Sequence, residues 1–330
     1  MLDPTVMLIF VVALALAFDF SNGWHDSANA IATVVSTHVL SPARAVLLAA
    51  ALNIAGAFMS TAVAKMIGGG IVEPTLINQA TVAAALIGAI AWNLFTLMLG
   101  LPTSSSHALI GGIIGGALAQ TGLAAVKLSG LRGVLEAMLF SPFMGFVLGY
   151  LFILATYWAV FRVPRGAANR MFRRLQLVSS SLMAFSHGAN DAQKAMGIIT
   201  LALVSAGHLD HVEVPTWVIL ACALAMGLGT AAGGWRIIRT LGMRIIKMEP
   251  VHGFAAETSG ALVLLGTAHF GMPVSTTHTI TSSIMGVGAV TRLSAVRWGV
   301  TKRIIYAWLF TLPGAGLVGY GVNLALQALR

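Results

Sequence analysis

Residues Phe185 to Ala195, FSHGANDAQKA, set a histidine, an Asn-Asp pair and a lysine inside a sequence that is otherwise almost unbrokenly apolar. Phe20 to Ala30, FSNGWHDSANA, is a relative of this stretch: an offset of 165 aligns Phe20 with Phe185, Gly23 with Gly188 and Asp26 with Asp191. A charged side chain at a bilayer centre costs at least about 2.5 to 3.5 kcal/mol, so an intramembrane Asp marks a functional site by default. A second duplicated motif reads GLPTSSSH over Gly100 to His107 and GMPVSTTH over Gly271 to His278. Carboxylates could coordinate a cation or accept from a protonated anion. A hydroxyl-rich helix start could bind an oxyanion.

The surroundings decide what must position these groups. Of the 330 residues, 58% are hydrophobic and 9% charged, and the mean hydropathy is +0.89. That is far from the composition of a soluble domain and predicts an all-α polytopic membrane protein. At roughly 20 residues per span, with loops, about ten transmembrane segments are expected. Met1 to Phe18 lacks the basic start and cleavage pattern of a signal peptide and reads as a first membrane helix. Cys222 is the sole cysteine, so no intrachain disulfide can form, and it reads as a packing residue.

The formal charge of +9 is scattered between hydrophobic segments and forms no face for nucleic acid. Its use is topological, because cytoplasmic loops carry an excess of Lys and Arg. Arg162, Arg165, Arg170, Arg173 and Arg174 form one such group; Arg236, Arg239, Arg244 and Lys247 a second; Arg292, Arg297, Lys302 and Arg303 a third. With these inside, five crossings per half invert one half relative to the other and put both termini outside.

The expected division is a first inverted repeat over residues 1–161, a cytoplasmic Arg-rich linker over 162–174 and a second repeat over 175–330. Each Asp motif is expected to interrupt its span, giving helices broken near the midplane where irregular backbone lines a cavity. Inverted repeats with such breaks mark secondary transporters whose site lies at the repeat interface. Gly111, Gly112, Gly115 and Gly116 form small-residue faces suited to close helix packing.

Pro102 and Pro273 suit helix starts, and Ser104, Ser105, Ser106, Ser275, Thr276 and Thr277 suit N-caps. Two such N-termini aimed at the midplane would also offer N–H groups, hydroxyls and positive dipole ends to an anion. Asp26 and Asp191 would repel an anion unless a coupling cation lies between them or the anion carries a proton. Phosphate has such a proton at neutral pH and sulfate lacks it, so the two carboxylates could discriminate between them. Asn29, Asn190, Ser27 and backbone carbonyls would suit a hard coupling cation. Lys194 lies one helical turn from Asp191 and can pair with it.

His25 stands beside Asp26 where the other motif has Asn190. His107 and His278 are either packed rings or proton and substrate groups. Glu257 is a candidate buried carboxylate, Glu136 a residue of a helix entrance, and Glu73 and Glu249 helix-terminating. His208, Asp210 and His211 read as a solvated loop, so no metal site is expected. A hydrolase built on Ser105, His107 and an Asp is the reading from another class. It lacks the G-x-S-x-G and H-E-x-x-H motifs and does not explain duplication of every polar motif.

These residues resemble the inorganic phosphate transporter (PiT) family, whose signature is a duplicated G-x-N-D-x-x-N-A motif in inverted halves. The match is GANDAQKA over 188–195 and, more loosely, GWHDSANA over 23–30, with both P-x-[ST]-[ST]-[ST]-H segments. The resemblance implies proton- or sodium-coupled symport of phosphate across the plasma membrane, with substrate roles for Asp26, Asp191, Ser104, Ser105, Ser106, Ser275, Thr276 and Thr277. It implies no cofactor beyond the coupling cation; a homodimer and a cytoplasmic accessory protein are further expectations. His25 and Lys194 stand where the family usually has Asn. The Lys194 ammonium could therefore occupy or neutralise a cation position. Sulfate permeases of the same family are the alternative.

Overall fold

In the computed structural model, residues 3–329 are described, and among them the chain is helical with no strand. The outer ends of the two expected repeats, residues 1, 2 and 330, lie outside this range. The helices are α1 (Pro4–Ser36), α2 (Pro42–Ala57), α3 (Ala62–Gly69), α4 (Gln79–Leu99), α5 (Ser105–Thr121), α6 (Leu128–Val160), α7 (Arg165–Ser205), α8 (Thr216–Ala232), α9 (Trp235–Arg239), α10 (Pro250–His269), α11 (Thr276–Thr291) and α12 (Trp298–Ala328). A π-helical turn, Thr240–Arg244, continues α9. The second six helices repeat the order of the first six: long helix, bent pair, helix, break, helix, long helix.

Local chemistry explains these boundaries. Proline opens α1, α2 and α10, where its missing N–H costs nothing. Asp3 caps α1 by accepting from Thr5 N at 2.8 Å, and Asn78 caps α4 by accepting from Thr81 N at 3.0 Å. Gly100 and Gly271 take φ of 67° and 66° at the ends of α4 and α10, a conformation that costs glycine little. Pro102 and Pro273 follow within two residues and stop either helix from continuing.

The expectation of breaks within the Asp motifs is corrected. Asp26 lies in the unbroken 33-residue α1 and Asp191 in the unbroken 41-residue α7. Asp26, Asn29, Asp191 and Lys194 find partners on neighbouring helices, so these side chains do not require the backbone ladder to open. The breaks fall instead between α4 and α5 and between α10 and α11, with further bends of 72° between α2 and α3 and 61° between α8 and α9. Residues 165–174 of the expected linker form the first turns of α7.

Among the described residues, five helices are long and apolar enough to cross a membrane, and the two bent pairs raise this to seven, against the ten expected. The shortfall lies in α7, α10 and α11. α7 and α10 carry Gln176, Asp191, Lys194 and Glu257 in their buried faces, which lowers their hydropathy, and α11, at 16 residues, is too short to count as a span by itself.

Packing crosses the halves. α12 packs on α4 and α5, and α6 on α10 and α11; α8 packs on α1, and α2 on α7. At the α5–α12 contact a β-carbon on Gly115 would fall 2.0 Å from Gly316 O, so glycine lets two backbones touch there. Cys222 is buried and free. Large apolar side chains such as Leu139, Trp158, Leu317 and Phe310 are exposed on α6 and α12, as lipid-facing surfaces require.

Gly115→Val should therefore separate α5 from α12 and destabilise the fold by about 1 to 3 kcal/mol or more, as overpacking does. Thermal unfolding in detergent would measure this; an unchanged midpoint would contradict the close approach.

Candidate functional site

The two Asp motifs and the two hydroxyl motifs converge. Ser105 Oγ donates to Asp26 Oδ2 at 2.8 Å, and Thr277 Oγ1 donates to Asp26 Oδ1 at 3.2 Å. Thr276 Oγ1 donates to Asp191 Oδ1 at 2.5 Å. Thus α11 serves both carboxylates, reaching Asp26 from the opposite half, and α5 reaches Asp26 from within its own half. Asn29 Nδ2 donates to Thr277 Oγ1 at 2.9 Å and orients that hydroxyl.

Lys194 ties the halves electrostatically. Its Nζ lies 2.7 Å from Asp191 Oδ2 as an ion pair and donates to Ser105 Oγ at 2.9 Å, both side chains being fully buried. An unbroken chain of contacts follows from Asp191 through Lys194 and Ser105 to Asp26. Breaking such a pair leaves an uncompensated buried charge, which is why the ammonium and carboxylate must be considered together. His187 Nε2 lies 3.4 Å from Asp191 Oδ2, and potential ligand atoms of Asp26, His187 and Asp191 all fall within 4.8 Å of one another.

His25 extends the site on the first-motif side. Its Nδ1 is 2.7 Å from Asp26 Oδ1, and its Nε2 is 3.1 Å from Thr96 Oγ1, with Thr103 Oγ1 at 3.4 Å. The ring therefore links the Asp26 carboxylate to the end of α4.

The other residues marked in the sequence divide clearly. Ser104 and Ser275 are N-caps, accepting from His107 N at 3.2 Å and His278 N at 3.1 Å, so their side chains serve helix starts. Ser106 donates to Val274 O at 3.1 Å and joins the two breaks. Ser27 accepts from Gly234 N at 2.7 Å, tying α1 to the start of α9, away from the carboxylates. Asn190 is buried with no hydrogen bond to its side chain among the described residues. His107 and His278 pack edge to face at 4.7 Å, His278 stacks on Trp308 at 3.9 Å, and their ring nitrogens make no hydrogen bond among the described residues. Ser105 and His107 are thus not a nucleophile–base pair.

Outside the cluster, Glu73 pairs with Lys127 at 3.1 Å in a half-buried position and Glu136 with Arg132 at 2.7 Å in an exposed one. Glu249 caps α10 in a reciprocal pair with His252. His208, Asp210 and His211 lie on a surface loop, where His211 meets Glu213 at 3.1 Å.

A second polar centre was only partly legible. Glu257 is fully buried and accepts from Thr33 Oγ1 at 2.5 Å, from Gln176 Nε2 at 3.1 Å and from Ser179 Oγ. These partners join α1, α7 and α10. Asp19 is likewise fully buried, and its oxygens have no hydrogen-bond partner among the described residues. The missed signal was the run of small polar residues in α7, which resembles ordinary helix filler until its partner Glu257, 78 to 81 residues away, is known.

Chemically, the cluster presents three hydroxyls and a buried ammonium beside two carboxylates. It sits at the starts of α5 and α11, whose first N–H groups have no partner within their own helices. Such a set can bind an oxyanion and respond to a proton or cation. Fold and site together define a polytopic membrane transporter.

The chain belongs to the phosphate transporter family, whose sequence model matches residues 22–319. It is 48% identical over 318 residues to a Bacillus subtilis protein named "Probable low-affinity inorganic phosphate transporter", covering 95% of each chain. It is 49% identical over 314 residues to a Rhizobium meliloti protein of the same name, covering 94% of each. A solved structure described as "The sodium-dependent phosphate transporter" superposes with a TM-score of 0.89 at 24% identity, covering 98% of this chain and 100% of that one. That likeness bears on the fold alone.

The Lys194 contacts carry a direct stability expectation. Lys194→Met, which strands Asp191, should cost about 3 to 5 kcal/mol, whereas the Lys194→Met, Asp191→Asn double variant should recover much of the loss. Unfolding midpoints in detergent distinguish these outcomes. Equal midpoints for wild type and the single variant would show that the pair does not compensate a buried charge.

Proposed function

We propose that the chain carries inorganic phosphate across the plasma membrane by cation-coupled symport and alternating access. The observation that carries this reading is the direct meeting of hydroxyls from two helix N-termini with both motif carboxylates, bridged by Lys194. In the structure Ser105, Thr276 and Thr277 donate to carboxylates. When phosphate binds, the same hydroxyls can turn to its oxygens, while a phosphate O–H donates to Asp26 or Asp191 in their place. Sulfate has no such proton at neutral pH, so the carboxylates oppose it.

Proton coupling is the preferred form of this symport. The Lys194 ammonium already neutralises the Asp191 side of the cluster, which removes one place for a sodium ion. His25 and Asp26, in contact at 2.7 Å, supply a pair that can hold a proton and pass it on. Repeated helix order and helix contacts that recur between the halves support two inverted repeats. The division at residues 162–174, both termini outside and transport by rocking of the helix groups about the fixed cluster belong to the same proposal.

Asp26→Asn and Asp191→Asn should each reduce phosphate uptake into proteoliposomes by about a hundredfold or more, the scale of losing roughly 3 kcal/mol. Protein that remains folded by circular dichroism yet transports normally would remove these residues from the mechanism. In the wild type, arsenate should compete with phosphate and sulfate should not; the reverse pattern would make the chain a sulfate permease. Uptake should follow an inward proton gradient without sodium. An absolute requirement for sodium at fixed pH, with indifference to the proton gradient, would overturn the proton-coupled reading.

A further inference from the structure

A second cationic feature lies apart from the buried pair. The end of α4, the short α9 and the π-helical turn enclose a cleft of about 270 Å³ lined by Arg236, Arg239, Arg244, Thr240 and Gly100. No acidic residue lines it, and none of the three arginines forms a salt bridge among the described residues. The exposed side chains of Met98 and Leu99 complete its wall, giving the cleft one cationic and one apolar side.

The cleft is built, not merely crowded. Thr240 Oγ1 donates to Gly100 O at 2.9 Å, and Arg236 donates to Met98 O, so α9 is fastened to the end of α4. The last carbonyls of α4 are otherwise met by Gly100 N and Leu101 N. The Thr96, Leu97 and Met98 carbonyls are therefore already met, and the side chains of Arg239 and Arg244 make no hydrogen bond among the described residues. These two stand five positions apart. An ordinary α-helix of 3.6 residues per turn would turn them well away from each other, whereas the wider i→i+5 turn over Thr240–Arg244 lets them converge.

Topology alone does not require this convergence, since an excess of cytoplasmic positive charge works equally well when dispersed. Three guanidinium groups around one cleft repel one another unless they share an anion. Planar guanidinium forks match phosphate oxygens two at a time. The volume lies below the usual range of about 300 to 1,000 Å³ for drug-sized ligands and suits a compact anion.

We propose that this cleft is a second anion site, separate from the carboxylate cluster, which binds a phosphate group carried by an anionic phospholipid or present as free inorganic phosphate. The apolar flank of Met98 and Leu99 suits the glycerol and acyl portion of a lipid. The site lies beside the break that leads from Gly100 to Ser105, so its occupant rests against the segment that presents Ser105 to Asp26. The inference does not rest on the coupling ion or on the transport cycle.

The test uses the full chain and the Arg239→Gln, Arg244→Gln double variant in nanodiscs of phosphatidylcholine, with or without added phosphatidylglycerol. Native mass spectrometry would count retained phosphatidylglycerol, and equilibrium binding of radiolabelled phosphate would be measured in discs lacking anionic lipid. A loss of bound phosphatidylglycerol in the variant identifies a lipid headgroup. Loss of one phosphate equivalent per chain, or about tenfold weaker binding of that equivalent, identifies free phosphate. The Arg239→Lys, Arg244→Lys variant should bind at an intermediate level, because it keeps charge but loses the forks. Retention of both lipid and phosphate by the folded glutamine variant overturns the proposal; should the double variant fail to fold, Arg244→Gln alone gives the same readout.

Discussion

The structure turns on the burial of two carboxylates, Asp26 and Asp191, with potential ligand atoms within 4.8 Å of one another and one ammonium to compensate them. Removing a carboxylate from water costs several kcal/mol even after the protein relaxes, and like charges at this separation add to the cost. Each oxygen must therefore receive a donor or a cation. Lys194 supplies the cation, and Ser105, Thr276 and Thr277 supply the hydroxyls. No single helix can deliver all four, so elements from both halves have to meet.

That requirement explains why some helices are continuous and others interrupted. α1 and α7 carry the carboxylates on unbroken backbones, which hold Asp26 and Asp191 at fixed positions. The hydroxyls must approach from the side and also present free helix N-termini, which an uninterrupted helix cannot do at mid-length. Gly100 and Gly271 end α4 and α10, and Ser104 and Ser275 cap the helices that begin immediately afterwards. The Ser or Thr residues next in line are left facing the carboxylates. Three successive hydroxyl residues thus have different duties: the first caps, the second bonds the carboxylate of its own half, and the third bonds to the other half.

The cluster was legible in the sequence because charge is conspicuous in an apolar chain and because the motifs recur. Asp26, Asp191 and Lys194 stood out for the first reason, and Ser105, Thr276 and Thr277 for the second. Continuity of α1 and α7 was not legible, since a polar run within an apolar segment looks the same whether the backbone opens or neighbouring helices satisfy the side chains. Ser27 illustrates a related limit: it sits beside Asp26 in sequence, but helical rotation directs its hydroxyl to Gly234. The Glu257 network was hidden more completely. Its donors Thr33, Gln176 and Ser179 are individually unremarkable and come from helices whose proximity no local pattern encodes.

Lys194 gives the cluster its particular electrostatic character. A mobile cation at Asp191 could leave during a transport cycle, exposing the full charge of the carboxylate and changing the local field. A tethered ammonium cannot leave; it can only move within the reach of its side chain, between Asp191 Oδ2 and Ser105 Oγ. The resting charge on the Asp191 side is thus set by the chain itself. Variable charge, on the proposed reading, enters through phosphate protonation or through Asp26 and its His25 partner, the side of the cluster with no lysine. On the proposed reading, the two motifs have divided the work: one carries a permanent counter-ion and the other carries the ion that is exchanged.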